Sequence, residues 1–464
     1  TFSGIPGGYP IAVTGSSSTL SLTDNTFAGN NQNVVFLAPG AMTSADFTLT
    51  PQTGLDAYHL GGGPDYTIPA GRTVTVAAGA TVHSSLVVKG RLVATGTAAL
   101  PATFTAHWQW HGITFDGGTG RLEHARVLVP GYGGAAIIGN NVPLPGLVLD
   151  HCSIEPGSGG ISITNSPLSI TSSTFTGITS GYPIAVTGAS STLTLTDNTF
   201  TGNNQNAVFL ETGAMTDADF TLISQVGLEA YVLGASYTIP AGRTVTLAAG
   251  TTLRSAYDST IVTRGRLVTT GTATEPVTFT SGRWMGLTFE GGTGQLSYAR
   301  VLVAGFNTAA ITATNVPLPG LVLDHASVGP GSGGIDSTDS VLVVRDTAFE
   351  TNASGRYAIH VFGPASTLSL SNNTFGGTGS WARQIGLAVG AMTGADFTLV
   401  PQPTLDAYVL ARDYTVPLGR TMTVAAGTTI IPSPSAFVQG RLVTNGTAAS
   451  PVTIDGYRYT IDVD

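Results

Sequence analysis

The chain has 464 residues, only 10% of them Asp, Glu, Lys or Arg, and a formal net charge of −9. So few basic side chains exclude a nucleic-acid partner, because nothing would displace counterions from phosphates, and they disfavour anionic membranes. No apolar run approaches the roughly 20 residues of a membrane helix, while 61 Gly and 25 Pro among abundant Thr, Ser, Ala and Val favour short strands and tight turns.

The opening residues, TFSGIPGGYP, lack the charged-then-apolar order of a signal peptide, so the chain reads as mature or as cut from something longer. Then repeats begin. GYPIAVTG at Gly8 to Gly15 returns at Gly181 to Gly188. LSLTDNTF, Leu20 to Phe27, returns as LTLTDNTF at Leu193 to Phe200 and as LSLSNNTF at Leu368 to Phe375. GRTVTVAAG at Gly71 to Gly79 comes back from Gly242 and again from Gly419, and NVPLPGLVLDH at Asn141 to His151 comes back unchanged at Asn315 to His325. The chain is about two and two-thirds copies of one block, with divisions near 8–180, 181–354 and an incomplete 355–464. No change in composition marks a linker, so residues 1–464 are expected to form one continuous architecture.

Inside each block runs a smaller unit: Leu, any residue, an aliphatic, four small or polar residues, then Phe, Ile or Val. It fits Leu147/Leu149/Ile154, Leu168/Ile170/Phe175, Leu193/Leu195/Phe200, Leu321/Leu323/Val328, Leu342/Val344/Phe349 and Leu368/Leu370/Phe375. Alternation of two indicates a strand, the polar pair between indicates a bend, and the last apolar residue returns the chain to the same interior. Starts spaced 21 to 26 residues apart predict a coil stacked on itself, a parallel β-solenoid of about 20 coils in one continuous rod, with the octapeptide as one wall of a coil. The lone Cys152 cannot form an internal disulfide and reads as a small buried side chain.

The segment Tyr66 to Val129, and more closely Gly265-Arg266-Leu267, Gly271-Thr272, Pro276-Val277-Thr278-Phe279 and Trp284-Met285-Gly286-Leu287-Thr288-Phe289, resembles the repeat region of bacterial right-handed parallel β-helix surface proteins, in the pectate-lyase-like superfamily. The resemblance implies right-handed coiling in an all-β fold. It implies no single activity, since that fold carries lyases, hydrolases, adhesins, tailspikes and structural rods.

Lyases of this fold resemble one another in a carboxylate cluster for calcium, and its hydrolases in several close aspartates. Here the acids are scattered: Asp24 and Asp197, like Asp46, Asp219 and Asp396, occupy equivalent positions a whole block apart, as structural turn residues do. The local anomaly is His107, Trp108, Trp110, His111 and His124 in the first block, whose histidines have no counterparts in the second. Adjacent coils could join His111 and His124 as metal ligands or set Trp108 and Trp110 against a sugar ring; drift on a solvated wall explains the same residues. No metal-ligand spacing or acid–base pair is specified, so no catalytic residue, metal or cofactor is expected. Asn352, Asn372 and Asn445 match the N-glycosylation pattern, which a Thr-rich chain meets by chance.

Neither terminus carries a recognisable capping helix, although solenoids normally need polar caps. The open ends suggest head-to-tail stacking into a homo-oligomer, a piece of a longer polypeptide, or loops that cap without a signature. The preferred expectation is a structural rod on a bacterial surface or outside the cell, built into a fibre, sheath, stalk or matrix. The alternatives are an adhesin that binds surface glycans and a polysaccharide lyase or hydrolase.

Overall fold

The computed structural model describes all residues except 62–64, 106–110, 129–133, 256–257, 281–283, 303–308, 330–332, 352–354, 380, 434, 457–459 and 464. The chain divides into two compact units, Thr1–Ala218 with Gln225–Ala230 and Asp219–Ser224 with Tyr231–Asp464. No helix occurs among the described residues, and the strands of each unit pair in parallel, coil upon coil.

In the first unit the inner repeat sets the register. Leu147–Asp150 pairs with Pro167–Thr171, which pairs with Thr192–Thr196, so that Leu147, Leu168 and Leu193 stack, as do Leu149, Ile170 and Leu195. Beyond a corner, Ile154, Phe175 and Phe200 stack in a second sheet. A third sheet carries Ile113–Asp116, Ala135–Asn140, Gly159–Thr164 and Ile184–Thr187. Each strand alternates: in Thr192–Thr196 the threonines are exposed and the leucines buried, the period of two that places one face of a strand inside. The octapeptide, expected as one wall, is therefore a corner joining two walls, with Leu193 and Leu195 on one and Phe200 on the next.

The second unit repeats the plan. Leu321, Leu342 and Leu368 stack, as do Leu323, Val344 and Leu370, followed around the corner by Val328, Phe349 and Phe375. Its third sheet runs through Leu287–Glu290, Ala309–Thr314, Gly333–Thr338 and Ile359–Phe362 and continues through Gln384–Leu387 and Ala407–Leu410. The other two sheets stop at Thr367–Ser371 and Thr374–Gly376. In Thr367–Ser371, Leu368 and Leu370 are half-buried, whereas Leu342 and Val344 one coil earlier are fully buried.

The described residues make about 18 turns, slightly fewer than the inner spacing suggested. Coil length varies more than the octapeptide region does: Val74 pairs with Leu92, 18 positions on, but Leu92 pairs with Gly120, 28 positions on. Loops between walls absorb the difference while the stacked walls stay in register. Rings continue the stacking inside, with Phe175 and Phe200 centroids 5.0 Å apart and nearly parallel at 5°. Each such buried side chain contributes roughly 1.5–3 kcal/mol relative to exposure.

Candidate functional site

The bend pairs of the repeat build one corner column in each unit. In the first, His151, Ser172 and Asp197 have φ of 52°, 48° and 53°; in the second, His325, Asp346 and Asn372 have 53°, 48° and 54°. This left-handed region turns the chain sharply, and short polar side chains enter it at least cost. The residue after each points inward: Cys152, Ser173 and Asn198, then Ala326, Thr347 and Asn373, are all buried. Their backbone N–H groups are satisfied from the next coil. Cys152 N–H donates to Ser173 Oγ (3.0 Å), Ser173 N–H to Asn198 Oδ1 (2.9 Å) and Asn198 N–H to Gln225 Oε1 (2.8 Å). The second unit follows suit through Thr347, Asn373 and Gln402. Burial pushes the Cys152 thiol up to about 11, as for an inert core group.

Outside the same corner, the first residues of successive pairs face one another. His124 and His151 rings lie 4.8 Å apart in the first unit; Tyr298 and His325 rings stack at 4.7 Å in the second. His151 Nδ1 lies 2.7 Å from Asp150 Oδ1, and His325 Nδ1 lies 2.8 Å from Asp324 Oδ1.

This placement answers the histidine expectation. His111 and His124 belong to one coil, at opposite ends of the strands Ile113–Asp116 and Thr119–Glu123. They take different partners: His111 Nδ1 meets Asp65 Oδ1 at 3.1 Å, whereas His124 packs against His151 with its ring tilted by 30°. The pairing of His111 with His124 as metal ligands is thus not what the fold makes. His107, Trp108 and Trp110 lie outside the described residues. Trp284, the second-block counterpart of Trp110, is buried and donates Nε1–H to the Leu302 carbonyl at 3.0 Å, a core role and not an open sugar platform.

A group that sequence reasoning missed sits on the outer face of the third sheet in the second unit. Asp336 and His360 are cross-strand partners, and Arg356 Nη1 lies 3.1 Å from Asp336 Oδ2. Tyr357 stacks on Trp381 at 4.9 Å, and the His360 ring lies 5.0 Å from Tyr357 and 4.0 Å from Phe362. Gly386, the next strand partner of His360, makes room, because a Cβ there would come within 2.5 Å of the Tyr357 ring. Burial raises the Asp336 carboxyl above its ordinary value while Arg356 pulls it partly back. Burial, and then the Arg356 charge, lower His360 to about 4, so the imidazole is neutral near pH 7. In the first unit the matching strands carry Ser162 and Ala185 instead, and the surface opens into a groove of about 860 Å³ lined also by Ser158, Thr179, Ser180 and Tyr182. The signal available in the sequence was the departure of GIDSTDS and RYAIHVFG from their first-block copies, GISITNS and GYPIAVTG.

Chemically, the cluster offers a paired carboxylate and guanidinium beside aromatic faces, suited to holding polar ligand groups. Residues 103–239 match the family model described as a right handed beta helix region. No curated protein and no solved structure matches the chain.

Proposed function

We propose that the chain, whose residues 103–239 match a right-handed β-helix family model, serves as a structural subunit of an extracellular bacterial assembly, stacking head to tail on copies of itself in a fibre, sheath, stalk or matrix. The observation that carries this reading is where the repeated acids are used. Asp46, Asp219 and Asp396 each accept a backbone N–H from the following coil, that of Thr73, Thr244 and Thr421, at 2.9 Å in all three blocks. Polar side chains at the corners are likewise engaged by the backbone of neighbouring coils. Repetition here preserves a wall, as a load-carrying solenoid requires, and does not reproduce a reaction centre. Low charge favours association, since self-repulsion between stacked copies is small. Electron microscopy of the purified protein at physiological salt tests the reading: filaments that lengthen with concentration are expected, and dispersed single particles at every concentration would overturn it.

A second reading, a surface protein that binds glycans, is favoured by the Trp381–Tyr357 stack beside Asp336 and Arg356. It predicts glycan binding that Trp381→Ala abolishes; equal binding by the variant removes it.

A further inference from the structure

We propose that Asp324, His325 and Asp346 bind one divalent transition ion of the zinc type at the corner of the second unit. One ligand atom from each of the three lies within 4.8 Å of the other two, the separation that ligands of a single ion require.

Three features shape this place. His325 and Asp346 are the outward residues of successive corners, linked through the His325 N–H to the Arg345 carbonyl at 3.2 Å, so the fold itself sets their side chains one coil apart. Stacking on Tyr298 fixes the imidazole plane. Asn372 Nδ2 donates to Asp346 Oδ1 at 2.6 Å, which orients that carboxylate and leaves its other oxygen for the ion.

The first unit supplies the comparison. Asp150 and His151 make the same imidazole–carboxylate contact, and His124 packs against His151, tilted, in the position of Tyr298, but Ser172 stands in the place of Asp346. The aspartate–histidine pair is thus a feature of the corner in both units; what the second unit adds is a second carboxylate. The Arg345 guanidinium, whose Nε lies 3.8 Å from Asp324 Oδ2, offsets only part of the charge of these two carboxylates. A cation between them relieves the remaining repulsion. One imidazole nitrogen with two carboxylate oxygens suits a borderline ion completed by water, whereas calcium takes six to eight oxygens.

Calorimetric titration of the full chain with Zn²⁺ at neutral pH tests the assignment on wild type, Asp346→Ser and Ser172→Asp, with circular dichroism confirming that each variant is folded. Wild type is expected to bind one zinc ion more than Asp346→Ser, or to bind it about tenfold or more tightly, and Ser172→Asp is expected to gain a further ion by recreating the triad in the first unit. Equal zinc binding by wild type and Asp346→Ser overturns the proposal. So does a folded Ser172→Asp with unchanged stoichiometry, and calcium displacing zinc from the wild-type site would overturn the ion class.

Discussion

Asn198 reaches back one coil to Ser173: its Oδ1 accepts the Ser173 N–H at 2.9 Å while its Nδ2 donates to the Ile170 carbonyl at 2.9 Å. Asn373 repeats both contacts, with Thr347 and Val344, in the second unit. One amide thus serves two backbone groups at a buried corner. Asn198→Ala removes both contacts and takes from the Ser173 N–H its acceptor, a loss of about 1–3 kcal/mol. The expected result is a lower denaturation midpoint and faster hydrogen exchange at Ser173; an unchanged midpoint and exchange rate would show that water replaces the amide at no cost.

The ring stack one residue pair further on carries apolar weight. Phe175 and Phe200 are both buried and parallel at 5.0 Å. Truncating Phe200 to Ala is expected to cost about 3–5 kcal/mol, seen as early protease cleavage in the first unit. Because solenoid stability sums over neighbouring coils, the cleavage should begin near residue 200; loss spread evenly along the chain would contradict this.

His360 makes stability depend on pH. Its folded value is lowered to about 4, against about 6.5 unfolded, so between those values the unfolded chain binds the proton more readily. Stability is expected to fall as pH drops from 6.5 toward 4. Asp336, raised by burial, acts the other way: the folded state takes up its proton more readily, adding stability as pH falls through that raised value. His360→Phe should flatten the slope between pH 6.5 and 4 in denaturation midpoints, and a variant that keeps the wild-type slope would assign it elsewhere.

Cys152 is buried, with its thiol pushed up to about 11. Native protein at pH 8 is expected to resist iodoacetamide and to be alkylated once denatured. Cys152→Ser should keep the fold, because Ser173 holds the equivalent place one coil on. Rapid alkylation of folded protein would mean that the corner opens.

Legibility followed periodicity. The triples Leu147/Leu149/Ile154, Leu168/Ile170/Phe175 and Leu193/Leu195/Phe200, read from letters, are in-register partners in space. The polar pair between their second and third members announced a bend but not that it divides two walls, since apolar spacing is silent about a left-handed φ at Asp197. The histidines misled for a related reason. His111 and His124 are close along the chain, yet two strands separate them, and His124 finds His151, 27 positions later.

Stacking one coil on the next repeats the same sheet spacing, so any pattern that recurs once per coil announces an interior position. The all-β solenoid, its inner residues and the structural duty of the repeated aspartates could therefore be read from the letters alone. Which outward side chains meet could not. Coil lengths from 18 to 28 residues shift the loops between walls; the inner period sets His325 and Asp346 one coil apart but is silent about whether their side chains converge, and no period in the chain records that Asp336 lies beside His360. Those encounters depend on register between coils, which folding sets through the core and the backbone ladders, independently of the side chains left outside.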